Sequence, residues 1–176
     1  MLSLAFLITL TVTIAAQNFN TSTGKVGFYS KTPIEDIAAM NTKVLAVLTA
    51  KRDLAISILN TNFEFHNKLM QEHFNEKYME SEKYPNSTFK GKINEDIDLT
   101  KDGEYKVTAA GKLNIHGVEQ ERTIAGTLII KGGTIQLLSN FKVKNIDHKI
   151  KIPTVVMTKI QDEIEVKVDL VMMVKK

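Results

Sequence analysis

Apolar and polar positions alternate with a period of two over most of this chain, the pattern of strands that bury one face. Eight runs show it, at residues 25–31, 41–50, 54–59, 87–95, 105–115, 121–130, 134–145 and 159–174. Turn chemistry separates them. Thr32-Pro33-Ile34-Glu35-Asp36 suits a turn, or the first turn of a short helix with Pro early in it. Lys51-Arg52-Asp53 is a charged tip, and Lys101-Asp102-Gly103 and Lys131-Gly132-Gly133 predict tight hairpins. No connection needs a crossover helix, so the sheet is expected to be antiparallel. Ahead of the first run, residues 17–24 are polar and rich in Asn, Thr and Ser, which predicts a mobile lead-in.

Residues 70–89 depart from this rhythm. Met70, Phe74 and Tyr78 fall four apart, so they stack on one face of a helix, with Glu72, Glu76 and Glu80 on another. Tyr84-Pro85-Asn86 then ends the period, because Pro lacks a donor and pushes the residue before it towards an extended conformation. One amphipathic helical insert among eight antiparallel strands leaves two architectures open, a closed barrel or a two-sheet sandwich. A barrel of this size either packs solid or holds one small ligand. The stripe Tyr105, Val107, Ala109, Gly111, Leu113 and Ile115 has neighbours in Ile124, Gly126 and Leu128 and in Ile135, Leu137, Ser139 and Phe141. Small residues (Ala109, Gly111, Gly126, Ser139) interrupt bulky ones in the middle of these stripes. Pointing inward they leave a central space; pointing outward they leave none, since one residue of register flips a whole stripe.

Two blocks carry a family resemblance. The first is His73-Phe74, an acidic spacer, Glu82-Lys83-Tyr84-Pro85 and Thr88-Phe89. The second is Gly111-Lys112-Leu113-Asn114-Ile115-His116-Gly117-Val118. In order and spacing they resemble the YceI-like family, over roughly residues 24–174. The chain departs from the family where a Thr and an Arg-Asp pair usually precede the His; here residues 67–72 read NKLMQE, a difference that bears on ligand identity rather than fold.

The resemblance implies an all-β fold, an eight-stranded antiparallel lipocalin-like barrel with a short helical insert. It also implies an exported protein whose apolar bore takes a polyisoprenoid, quinone or fatty-acid-like lipid, and a homodimer. On that reading Phe28, Phe89, Tyr105, Val107, Leu113, Leu128, Leu137, Phe141, Val166 and Val168 line the bore, with Met70 and Phe74 closing it beside Tyr78. Gly111 keeps the middle open, so Gly111→Leu is expected to block it. Two other readings stay in play. The barrel could be filled by its own side chains and act through its surface as an interaction or stress-response module. It could also be an enzyme acting on a lipid or quinone, the sign of which would be titratable groups converging in the bore, such as His73 with Glu72 or Tyr105.

The apolar start changes the picture of where the protein works. Residues 1–16, MLSLAFLITLTVTIAA, contain no charged side chain and end in Ala15-Ala16 before Gln17. That is the form of a secretory leader, too short for a membrane span. The mature domain is then 17–176, periplasmic or secreted. The rest of the composition excludes more than it suggests. The chain has no Cys, which removes disulfides, thiolate nucleophiles and Cys-based metal sites. A net charge of +3 without a basic cluster gives no sign of a nucleic-acid partner. His66, His73, His116 and His148 lack the spacing of a metal site, and no Gly-x-Ser-x-Gly elbow or phosphate loop occurs, so no cofactor, metal or catalytic residue is expected.

Overall fold

The computed structural model of the chain describes residues 18–31, 36–152 and 162–174. The leader, residues 32–35 of the first turn, and residues 153–161, which include the start of the last predicted strand, lie outside the described residues. Nine strands form among the described residues: β1 Phe19–Ser30, β2 Ile37–Leu48, β3 Asp53–Leu59, β4 Glu64–Phe65, β5 Asn86–Ile93, β6 Gly103–Ile115, β7 Val118–Lys131, β8 Thr134–Lys144 and β9 Glu163–Val174. A helix, α1 Lys68–His73, runs directly into a π-helical turn, Phe74–Tyr78. Around the sheet the order is β1-β9-β8-β7-β6-β5-β3-β2, and β2 pairs back onto β1. Eight long strands therefore close an antiparallel barrel, and β4 adds two residues to the edge of β2.

Two segments differ from the alternation-based expectation. The polar run expected as a mobile lead-in is part of β1. Phe19 is buried against Leu48 and Val174, and the register slips between Thr21 and Gly24 and between Gly24 and Val26. Bulges of this kind insert residues that break the period of two, which hides a strand from pattern reading. The Asp102-Gly103 turn signal also serves another purpose. β5 and β6 are joined by a loop, 94–102, not a tight hairpin. The Glu95 carboxylate accepts from the Thr108 backbone N–H at 2.8 Å and its hydroxyl at 2.9 Å, which holds the loop on β6. The Asp102 carboxylate accepts from the Gly132 N–H at 3.0 Å, so it supports the neighbouring turn instead of making its own.

The barrel is packed shut at the end that this loop covers. Leu48, Leu128, Ile130, Ile135, Leu170 and Met172 are each at most 2% exposed, and Leu99 of the loop joins them. Burying six such side chains contributes about 2 kcal/mol each before entropy is counted, enough to make this end the stable foundation of the fold. Midway along the wall, Gly91 of β5 pairs with Gly111 of β6. A Cβ on Gly111 would run into the Lys90 carbonyl oxygen and the Gly91 Cα. The two strands coil over each other at that point, which only a residue without a side chain permits. Between β7 and β8 the ladder is incomplete: it runs from Lys131↔Thr134 to Gly126↔Ser139 and stops.

At the other end, the β6–β7 hairpin turns through His116 and Gly117 with φ of 52° and 72°. Both central residues at positive φ make the mirror-image turn that matches strand twist. His116 Nε2 lies 2.7 Å from the Glu80 carboxylate and Nδ1 3.2 Å from the His148 carbonyl, while the Tyr84 ring packs on the imidazole at 4.5 Å. His148 is fully buried beneath it, with Nδ1 3.1 Å from the Val118 carbonyl and, among the described residues, no partner in hydrogen-bond geometry for Nε2. Burial pushes the His148 pKa below its ordinary value, opposed in part by the Val118 carbonyl and by Asp147.

Two outcomes follow from these contacts. Gly111→Ala should destabilise the barrel by about 2 kcal/mol or more, read as a lower urea midpoint, because the added carbon meets backbone that cannot give way; a wild-type midpoint would disprove the close approach. Stability should also fall as the pH drops below about 6.5, the value for an unfolded histidine, towards the lowered folded value, because only the unfolded state takes up that proton. His148→Gln should flatten this fall, measured as the change in Tm between about pH 7.5 and about pH 5.5. Equal pH dependence in the two proteins would clear His148 of the effect.

Candidate functional site: an apolar cavity in the barrel

The helical insert is held at both ends by side chains. Asn67 caps α1, its side-chain Oδ1 accepting from the Leu69 N–H at 2.9 Å. At the far end Asn60, fully buried, works on three partners. Its side-chain amide donates to the Tyr84 carbonyl at 2.7 Å, its backbone N–H donates to the Pro85 carbonyl at 2.8 Å, and its Oδ1 accepts from the Ser87 hydroxyl at 2.8 Å. A buried amide satisfied in this way is worth keeping, since losing one partner leaves the others unpaired. The Tyr84-Pro85 break seen in the sequence is therefore a docking point on the end of β3.

Between these fixings the insert turns an aromatic face to the barrel. Phe74 stacks on Phe28 with centroids 5.4 Å apart and meets Phe63 and Phe65 at 5.6 and 5.1 Å. Phe28 in turn contacts Phe63 at 5.2 Å and Phe65 at 5.7 Å. Such pairs add about 0.5–1.5 kcal/mol each beyond their buried area, so four rings anchor a helix too short to be stable alone. The π-helical turn closes with a Met79 N–H to Phe74 carbonyl bond of 2.8 Å. Met70, Phe74 and Tyr78 all reach the interior, as their spacing predicts.

Beneath the aromatic face lies a cavity of about 450 Å³. Its walls are aliphatic and aromatic side chains from β1, β3 and β5–β9, and the small residues Ala109, Gly126 and Ser139 face its middle. The interior is therefore not filled by its own side chains. Of the residues expected to line the bore, Phe28, Met70, Phe74, Phe89, Val107, Leu113, Leu137, Phe141, Val166 and Val168 do border the cavity. Three do not. Leu128 is fully buried in the packed end. Tyr105 sits at that same end and donates its hydroxyl to the Lys101 carbonyl at 3.2 Å. Gly111 faces the backbone of β5 instead of open space, so Gly111→Leu would break the sheet before it filled the bore. Alternation places all three on the inner face correctly, but it carries no depth along the barrel and no record of coiling.

Some lining residues were not legible as such. Phe63 and Phe65 follow a 3₁₀ turn, Asn60–Asn62, which redirects the chain after β3 so that both rings join the aromatic face. Their two-residue spacing was the available signal. Ile150 and Ile152 also border the cavity, from a segment without strand periodicity. The chemistry of the walls is sparse: His73 and Tyr78 are the titratable side chains among the described lining residues. Glu72 is exposed and Tyr105 is elsewhere, so neither converges on His73. No group of three His, Cys, Asp or Glu is arranged for a metal among the described residues, and no described helix is long and apolar enough to cross a membrane.

Comparison with known proteins gives the same architecture. The model of the YceI-like domain matches residues 8–172. A polyisoprenoid-binding domain from Saccharophagus degradans superposes with a TM-score of 0.78 at 13% identity, covering 92% of this chain and 100% of that one. BcnA of Burkholderia cenocepacia gives 0.73 at 20% identity, covering 84% and 95%. A YceI protein of Campylobacter jejuni gives 0.56 at 18% identity, covering 99% and 94%. No curated protein matches the chain. At these identities the superpositions speak to the fold, an eight-stranded barrel, while the family model spans nearly all of the sequence: the chain belongs to the YceI-like family.

Proposed function

We propose that the protein is an exported carrier that holds one long apolar lipid, of the polyisoprenoid, quinone or fatty-acid kind, inside its barrel. The observation that carries this reading is the cavity: about 450 Å³, lined mostly by apolar side chains, with one end of the barrel packed shut. That size falls within the range of natural ligand pockets. The energetics favour a long chain. Each five-carbon isoprene unit moved from water into such a bore gains about 4 kcal/mol gross, at ~0.8 kcal/mol per carbon. Association and ordering of the chain take back several kcal/mol, so a single unit binds weakly and several bind well. The uncharged walls suit a neutral body and leave the polar end of the ligand weakly specified. The Saccharophagus degradans domain of similar fold is described as polyisoprenoid-binding, which agrees with this ligand class.

Export is supported by the join between leader and domain. β1 begins at Phe19, so cleavage after Ala16 would leave two residues before the barrel. The homodimer has a surface to use: Leu45 of β2 and Val171 and Met173 of β9 are exposed apolar residues flanking β1 on the outside of the barrel.

Native mass spectrometry of the protein from its own source, followed by organic extraction, tests the three statements together. The expected result is a dimer whose subunits begin at Gln17 and carry one apolar adduct each. A bare mass that persists after incubation with long-chain isoprenoids and fatty acids would sink the carrier reading; a retained leader or a monomer mass would sink the export or the dimer alone. Ala109→Leu gives a second check. Filling the middle of the bore displaces about three ligand carbons, roughly 2 kcal/mol, and should weaken binding of the longest ligands by about thirtyfold in a titration while sparing short ones. Equal weakening at all lengths would argue for general damage instead of a shortened bore.

A further inference from the structure

One stretch of the barrel wall, between β7 and β8, has no backbone ladder. β6 and β7 pair from Gly103↔Ile130 to Ile115↔Val118, and β8 and β9 from Thr134↔Met173 to Lys144↔Glu163. Between them, β7 and β8 stop pairing at Gly126↔Ser139, so residues 118–125 of one strand and 140–144 of the other face a gap with no ladder across it. The cavity reaches this gap. Ile124, Ala125, Gly126, Ser139 and Phe141 all border it, although Ala125 is exposed and belongs to the outer face of β7. The same residues appear from outside. Ala125, Gly126 and Ser139 line a surface groove with Lys106 and Asn140, and Phe141 lines a neighbouring depression with Arg122, Lys142 and Asp147.

Side chains, not backbone, hold the seam. Arg122 donates from Nη2 to the Lys142 carbonyl at 2.7 Å, and its Nη1 lies 4.0 Å from the Asp147 carboxylate. The Gln120 amide donates to the Asp147 carbonyl at 2.8 Å, and the Ser139 hydroxyl to the Ala125 carbonyl at 2.6 Å. The end of the barrel towards α1 is built differently. There a path inward has to separate Phe28, Phe63, Phe65 and Phe74 and lift an insert fixed by Asn60.

We propose that the β7–β8 seam is a lateral portal through which an apolar chain enters and leaves the cavity, with Arg122 as its latch and the Phe141 ring as its door. Opening it moves the Arg122 and Phe141 side chains and releases the Gln120 and Ser139 hydrogen bonds at the seam, but breaks no strand pairing. Long lipids can then pass sideways, with one end in the bore while the rest is still outside, without dismantling the aromatic face. The inference rests on the lipid-binding reading above. It adds a route and assigns Arg122, which does not border the cavity, a kinetic role without a part in affinity.

Stopped-flow fluorescence with cis-parinaric acid, a polyene fatty acid that brightens in apolar surroundings, tests the route. Arg122→Ala should take up and release the probe about tenfold faster, the factor for one charge-assisted hydrogen bond lost from the closed wall. Its Kd should stay at the wild-type value, because both rates rise together. The converse uses Thr123→Cys/Lys142→Cys, joined across the seam with a short bis-maleimide; the chain has no cysteine of its own to confuse the reaction. The bridged protein should load roughly tenfold more slowly than the same variant unbridged. Wild-type rates in Arg122→Ala, with the probe bound normally, overturn the portal whether or not the bridge forms. A wild-type protein that binds no probe at all removes the lipid-binding reading, and the portal with it.

Discussion

Closing the sheet is the constraint on which the rest of this structure depends. Once β2 pairs back onto β1, the eight strands form a closed ring, and their number fixes the width of the interior. At that width inward side chains can fill the bore only where they are large. At one end they are, with Leu48, Leu128, Ile130, Ile135, Leu170 and Met172 in full contact. Further along, Ala109, Gly126 and Ser139 of the adjacent strands β6, β7 and β8 put little side chain into the bore, and a cavity borders all three. The same closure needs local departures from a flat ladder. The bulges of β1 and the glycine pair of β5 and β6 supply the bending, each at a point where a regular strand would not turn far enough.

The open half of the barrel is finished by elements that are not strands. A six-residue helix has too few hydrogen bonds to persist alone. It is present because Asn67 caps it, Asn60 grips the chain beyond it and four phenylalanines meet under it. The His116–Glu80 contact joins the far side of the same insert to the β6–β7 hairpin, with His148 buried below. Rigid polar fixings around a flexible apolar interior are a reasonable way to keep a cavity from collapsing, since the void gains nothing from packing of its own.

The chemistry of the interior points in one direction. Its walls hold little that titrates; of the lining hydroxyls, Ser87 is spent on Asn60 and Ser139 on the β7 backbone, while the Ser30 hydroxyl is buried without a hydrogen-bond partner among the described residues. On the carrier reading proposed above, such a site would distinguish ligands by length and cross-section more than by head group. Arg122, Gln120 and Ser139 bridge a stretch that β7 and β8 leave without a ladder, so part of the wall next to the cavity is held by side chains and not by backbone pairing. Low local stability of this kind is where motion is expected to concentrate.

The sequence by itself determined eight of the strands, their antiparallel arrangement and the single helical insert, because a period of two and a period of four are local properties written in consecutive residues, while it left open which stripe points inward. With Lys131-Gly132-Gly133 it also marked a tight hairpin by the backbone freedom that turn requires, while Lys101-Asp102-Gly103 marked one that the structure replaces with a loop. Tertiary structure alone decided depth and bending. Leu113 and Leu128 share an inner face, yet one borders the cavity and the other is packed at the closed end, a difference of height in the barrel that alternation does not encode. Gly111 looks like spare room in the pattern and is contact in space, since the neighbouring backbone fills the place of its missing side chain. Phe63 and Phe65, Asn60 and Arg122 owe their roles to partners far away in the chain, and no local period reports a contact of that kind.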